Sequence, residues 1–204
     1  MARKNKVPEF MQIARELQKN ASRYAASEAV KFFKESFVKG GFTDASFQKW
    51  QQSNGPLAGK RTMYNRGSLM RSIKKQTVTM EKVVVIADSP YAAIHNQGGY
   101  IVVTTRMKKY FWAKFYELSG SVSVNKQGAV SLNKKNVSIG KKAMFCRAMA
   151  LKTVGSRIKI PQHQFMGHSK ALMNNFDLWF GEVIRKQVEQ QFNNNSIQIN
   201  LKDV

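Results

Sequence analysis

The stretch Val83-Val84-Val85-Ile86-Ala87-Asp88-Ser89-Pro90-Tyr91-Ala92-Ala93-Ile94-His95-Asn96-Gln97-Gly98-Gly99-Tyr100 decides how the chain is read. Alternation that begins at Thr77 condenses into four β-branched residues, Val83 to Ile86, so 77–87 reads as a strand. Asp88-Ser89-Pro90 breaks it, because proline lacks an N–H and biases the residue before it away from helix. Tyr91 to His95 then forms one helical turn, and Gly98-Gly99 leads into a second strand, Tyr100 to Thr105. Strand, short helical turn and strand on neighbouring positions predict a small mixed or antiparallel sheet in an α+β fold.

Working outward, Pro8 to Lys39 reads as one long helix. Phe10, Ile13, Leu17, Ala21, Tyr24, Ala25, Ala29, Phe32, Phe33 and Phe37 recur at three- and four-residue steps. Pro8 suits the first turn, and Gly40-Gly41 supply a left-handed stop. Such a rod is roughly 45 Å long at 1.5 Å per residue, so one end is expected to meet another subunit or to project. This helix packs on the sheet together with a C-terminal one, which Ser169 caps and which carries Leu172, Phe176, Trp179, Val183, Ile184, Val188 and Phe192 at helical spacing. The tail, 193–204, alternates Ile197, Ile199 and Leu201, as a half-buried strand does, and either pairs with a neighbour's sheet edge or folds back.

Between these elements, Phe42 to Arg66 reads as a loop anchored by Phe42, Phe47 and Trp50, with a turn at Asn54-Gly55-Pro56. Ser68 caps a short helix through Ile73. Lys108 to Leu118 is amphipathic and aromatic. Residues 119–139 form a β-hairpin around Lys126-Gln127-Gly128 or a mobile arm. Lys141 to Val154 is helical by pattern, and Ile158 to Ile160 is extended. A chain of 204 residues with 43% apolar residues can build one real core, so a single domain over 1–204 is the expectation.

The charge is lopsided. With 34 Lys and Arg against 12 Asp and Glu the net is +22, a field that attracts nucleic acid or an acidic protein. From Ser89 to Phe176 the only acid is Glu117, so the positive charge is regional and one face or protrusion is electropositive.

Catalysis requires groups that converge, and few are on offer. Asp44, Asp88 and Glu117 lie in unrelated contexts, unlike a two-metal cluster. His95, His163 and His168 lack zincin spacing, and a zinc site made of these with Cys146 is a minor alternative to histidines that bond backbone. Cys146, the lone cysteine, lies in an apolar run and reads as a buried, inert thiol in a reducing cytoplasm. Gly98-Gly99 precedes a strand, whereas a phosphate cradle precedes a helix. No apolar stretch is long enough to span a bilayer. Neither an enzyme nor a cofactor is expected.

Four blocks in order carry a resemblance. They are Gly40-Gly41-Phe42-Thr43-Asp44 with Trp50; Gly67-Ser68-Leu69 with Ser72-Ile73; Tyr91-Ala92-Ala93-Ile94-His95 with Gly98-Gly99; and Ile160-Pro161 with Phe165 and Gly167. Together they resemble the virion morphogenesis (tail completion) proteins of tailed phages. In the last block His163-Gln164 stands where the family pattern has Arg-Pro, and a shorter, mostly neutral histidine would not make an arginine's contacts. The stretch 106–158 is a basic insertion beyond the motifs.

The resemblance implies a structural protein of the virion neck, made in the host cytoplasm, that completes the tail and joins it to the head. It implies a homo-oligomeric ring whose partners are the tail tube or terminator on one side and the connector on the other. About six copies would bring together roughly 132 positive charges around the genome's channel. Arg106, Lys108, Lys109, Lys114, Lys126, Lys134, Lys135, Lys141 and Lys142 are then the candidate contacts to DNA or to an acidic partner. The competing expectation is a free-standing basic nucleic-acid-binding protein.

Overall fold

The computed structural model describes residues 10–52, 55–56, 62–123, 130–131 and 133–194. Pro8, the turn residue Asn54, the hairpin tip 126–128 and the alternating tail residues fall outside them. The fold is α+β, and among the described residues the strands form three separate two-stranded ribbons. Where one domain was expected, the chain groups into two compact units. Unit 1 is Met1–Gln48, Met70–Asp88 and Met166–Val204; unit 2 is Lys49–Leu69 and Ser89–Phe165.

Unit 1 is built on α1 (Phe10–Lys39), which stops where expected, with Gly40 at φ 71°. Its C-terminal half carries the core: Ala26, Phe32, Phe33 and Phe37 are buried, with Phe42 edge-on to Phe32 at 6.4 Å. Burying side chains of this size contributes about 1.5–3 kcal/mol each. Its N-terminal third is bare by comparison, with Met11 71% exposed. Gly40-Gly41 does more than end the helix. The chain turns back at once through β1 (Gly41–Thr43) and β2 (Phe47–Lys49), a ribbon absent from the sequence reading. A side chain at Gly41 would collide with the Gln48 carbonyl, so only glycine fits there. Of the three expected anchors, Phe42 and Trp50 are buried, whereas Phe47 is 47% exposed.

After the four-residue α2 (Ser68–Arg71), β3 (Ile73–Val78) and β4 (Val83–Ala87) pair from Ile73↔Ala87 to Val78↔Val83, with an irregularity between Lys75 and Thr77. The strand expected over 77–87 is thus a hairpin: Thr79 and Lys82 close its turn, with Thr79 N–H donating to the Lys82 carbonyl at 2.9 Å. The ribbon lies against α1, as does α6 (Lys170–Asn194), whose Trp179 stacks on Tyr24 at 3.8 Å and 5°. Farther along α6, Ile184 and Val188 are exposed, so only the first half of its apolar face is covered.

Unit 2 holds α3 (Ala92–Gln97), β5 (Gly99–Val102), α4 (Thr105–Ser119), α5 (Lys134–Leu151) and β6 (Arg157–Ile160). The second strand pairs with β6 and not with β4, so the single sheet expected from 77–105 is instead two ribbons. The basic insertion, 106–158, is mostly a pair of packed helices. Each starts earlier than its apolar period suggests because a cap precedes it: Thr104 Oγ1 accepts from Met107 N–H at 3.2 Å, and Asn133 Oδ1 from Asn136 N–H at 2.8 Å. Ala143, Cys146 and Ala150 form the buried face of α5, whereas no residue of aromatic-rich α4 is fully buried. Asn136 ties down the base of the connecting loop. Its amide donates to the carbonyls of Ser123 (2.8 Å) and Ser131 (2.6 Å), and its Oδ1 accepts from Ser123 N–H at 3.2 Å.

Candidate functional site

The motif residues separate into two clusters, one per unit. In unit 1, Asp44 and Ser169 organise the start of α6. Asp44 Oδ1 accepts from Lys170 N–H at 2.8 Å, its carbonyl from Ala171 N–H at 3.0 Å, and Ser169 Oγ from Leu172 N–H at 3.1 Å. The first three donors of the helix are thereby satisfied, and a carboxylate sits at its positive end. Ser169 Oγ also donates to the Thr43 carbonyl at 2.8 Å, which fixes the β1 corner to the helix. The second block enters through Ser72, whose carbonyl accepts from Asp88 N–H at 2.9 Å, and through Ile73, which is 1% exposed.

In unit 2 the third block joins the fourth up to Phe165, together with Trp50, while Gly167 belongs to unit 1. His163 N–H donates to the His95 carbonyl at 2.7 Å, and Phe165 N–H to Asn96 Oδ1 at 2.9 Å. The Gln162 amide reaches the Asn96 carbonyl at 3.2 Å. Trp50 Nε1 donates to the Gln164 carbonyl at 2.7 Å, edge-on to the His163 ring. Gly98 makes the approach possible: it sits at φ 72°, ψ −173°, and a side chain there would lie 2.9 Å from Gln162 N. Ala92 and Phe165 are buried beneath, and Gly99 brings its backbone against Ile94.

This arrangement assigns the histidines. His163, 5% exposed, directs Nε2 at the Gln51 carbonyl at 3.1 Å, so Nε2 carries the hydrogen. His95 packs edge-on against Tyr91, and burial, aided by the neighbouring His163, holds its imidazole below the ordinary range. The Nδ1 atoms of both rings are buried without a hydrogen-bond partner. Both rings border a cleft of about 460 Å³ with Gly67, Leu69, Ile160 and Pro161. At its edge, Tyr91 Oη and Ser68 Oγ are 2.9 Å apart, a contact that lowers the phenol's pKa.

Of the residues of the alternative zinc site, His95 and His163 lie in unit 2, His168 in unit 1 and Cys146 in the buried face of α5. Among the described residues no group of three His, Cys, Asp or Glu could hold a metal ion. Burial pushes the Cys146 thiol above its ordinary value, away from the thiolate that reacts. Nor is any described helix long and apolar enough to cross a membrane.

The charge divides as unevenly as the motifs. Unit 2 has 17 Lys and Arg against one acid, Glu117, a net of +16; unit 1 has 17 against 11. Arg106, Lys109, Lys134, Lys135 and Lys141 are exposed, and Lys108 and Lys142 are half-buried. Lys114 differs from them. It pairs with Glu117 at 2.6 Å, and that hydrogen bond raises its pKa, so its charge is already answered within α4. Lys126 lies outside the described residues.

Asn96 and Asn136 are the organising side chains that sequence reasoning missed. Asn96 directly follows His95 in the third block, which was its one visible signal; Asn136 had none, since a buried amide looks like any other polar residue. No protein-family model, curated protein sequence or solved structure matches the chain.

Proposed function

We propose that this chain is a structural protein of a tailed-phage particle that completes the tail and joins it to the neck, working through surfaces with no bond made or broken. The observation that supports it is the use made of the motif residues. Asp44 and Ser169 close a corner, His163 N–H bonds the His95 carbonyl, Phe165 N–H bonds the Asn96 side chain, and Gly98 allows the two segments to approach. These bonded groups hold the scaffold, while the Nδ1 atoms of His95 and His163 take no part in it. In this reading copies of the chain form a ring, with the connector on one side and the tail tube or terminator on the other, and the basic unit faces the genome's channel. Particles assembled without the protein, imaged by negative stain, are expected to show separate heads and tails or defective tail ends. Normal infectious joining in its absence would exclude the proposal.

The net of +16 in unit 2 favours a second reading, a nucleic-acid-binding protein that acts outside any particle. The two part on where the protein is recovered. Stoichiometric recovery in purified virions supports the first, and recovery only in the soluble fraction the second.

A further inference from the structure

The β5–β6 ribbon has two unlike faces. In an antiparallel pair, directly opposed residues share a face, and alternate pairs point the same way. Gly99↔Ile160 and Ile101↔Ile158 make one face, and its isoleucines Ile101, Ile158 and Ile160 are half-covered. Tyr100↔Lys159 and Val102↔Arg157 make the other, and all four of its residues are exposed, Tyr100 at 59% and Val102 at 50%. That bare face carries two cations, an aromatic ring and no acid. Among the described residues neither Arg157 nor Lys159 takes part in an ion pair, and the single carboxylate of the unit is held by Lys114.

We infer that the outer face of this ribbon, Tyr100, Val102, Arg157 and Lys159, is a docking surface for duplex DNA. Charge complementarity names the occupant. A second copy would bring another unit of +16 against the face, whereas a duplex brings one negative charge per about 1.7 Å of axis. Shape agrees, because a two-stranded ribbon is one of the two elements that the major groove admits. The cations would take phosphates on either side, and Tyr100 and Val102 would lie against sugar and base edges. The contact reads shape and charge and is expected to be indifferent to sequence. Arg157 and Lys159 fall in the basic stretch that the sequence pointed to but, like Tyr100 and Val102, not among its named candidate contacts, which stopped at Lys142. The inference rests on the reading that the basic unit faces the genome.

The test is anisotropy of a labelled duplex of about 30 base pairs, titrated with the full-length chain over a monovalent salt series. Removing two phosphate contacts in Arg157→Gln/Lys159→Gln is expected to flatten the log–log salt slope by roughly 1.8, a loss of about 60-fold in affinity at 0.1 M salt. Tyr100→Ala is expected to weaken binding with the slope unchanged. Far-UV circular dichroism checks that each variant keeps its fold. A ribbon variant with the wild-type slope would overturn the inference, as would an equal loss in Arg147→Gln/Lys152→Gln, exposed cations of the same unit outside the candidate contacts, since charge anywhere on the unit would then suffice. Equal loss of binding to poly-L-glutamate would overturn the nucleic-acid assignment in favour of an acidic protein. The failure of this inference leaves the neck assignment standing if the ribbon variant still enters particles and joins heads to tails; a chain missing from particles defeats that assignment whatever it does with DNA.

Discussion

Asp44 and Ser169 act on the same helix end by different means, and truncating each separates them. Asp44→Ala removes the acceptor for Lys170 N–H and the anion at the positive end of α6, but leaves the backbone bond to Ala171. A loss of about 1 kcal/mol is expected. Ser169→Ala removes a cap and also strips the Thr43 carbonyl of its donor at a site only 2% exposed, so about 2 kcal/mol is expected. Urea midpoints followed by circular dichroism measure both, and a double variant that lost less than the sum would show one shared corner. Ser169 was legible as a cap because a serine before an apolar period signals one. Asp44 was visible as a motif residue only, since its partner lies 126 positions away and no local pattern reports that pairing. His95 adds a pH dependence. Because its folded pKa is lowered, the unfolded chain takes up the proton more readily. The stability it contributes is complete above the ordinary imidazole value of about 6.5 and is lost as pH falls through that value toward the lowered one. His95→Gln is therefore expected to shrink the drop in urea midpoint between about pH 7.5 and pH 5; an unchanged drop would place the titration elsewhere.

At the scale of elements, two glycines make opposite predictions. Gly98 joins α3 to β5 in a backbone region that glycine alone occupies freely, and a methyl group there would strike Gln162. Gly98→Ala is expected to cost about 1–3 kcal/mol from conformation alone, with the collision added. Gly140 sits within α5 with nothing within 4 Å of where its side chain would be. Gly140→Ala is expected to stabilise by up to about 1 kcal/mol. Thermal unfolding of the two variants beside the parent measures both signs, and a neutral Gly98→Ala would mean that α3 and the 160–165 segment do not need their close approach. The long helix α1 was legible because its apolar period runs for eight turns, and β6 because Ile158 and Ile160 alternate. The first half of α5 was not, since Val137, Ile139 and Gly140 are weak helix formers whose helix rests on the Asn133 cap and the buried Asn136. Strand pairing was the other miss. Tyr100 to Val102 and Arg157 to Lys159 are separated by two helices, and only the tertiary fold brings them into register.

The molecule as a whole is governed by where its charge resides. Composition alone showed the excess, and the dearth of acids after Ser89 showed that it was regional. Which residues share a unit could not be read, because each unit draws on distant segments of chain. With 17 cations and one acid, unit 2 repels itself, whereas 11 acids temper the same number of cations in unit 1. Salt should therefore stabilise the units unequally. Raising monovalent salt from about 0.01 M to 0.1 M shortens the screening length from about 30 Å to about 10 Å, enough to mute repulsion between charges on opposite sides of a small domain. The tryptophans allow each unit to be read alone: Trp50 and Trp112 lie in unit 2 and Trp179 in unit 1. Trp179→Phe leaves reporters in unit 2 only, and Trp50→Phe/Trp112→Phe leaves one in unit 1. In urea titrations at the two salt concentrations, the fluorescence midpoint of the first variant is expected to rise by clearly more than that of the second. Chloride and sulfate compared at equal ionic strength separate screening from anion binding, because screening gives equal shifts and bound sulfate a larger one. Equal shifts in the two variants would show that the charge of unit 2 is already answered within the chain, and the basic surface would then lose its claim on a polyanionic partner.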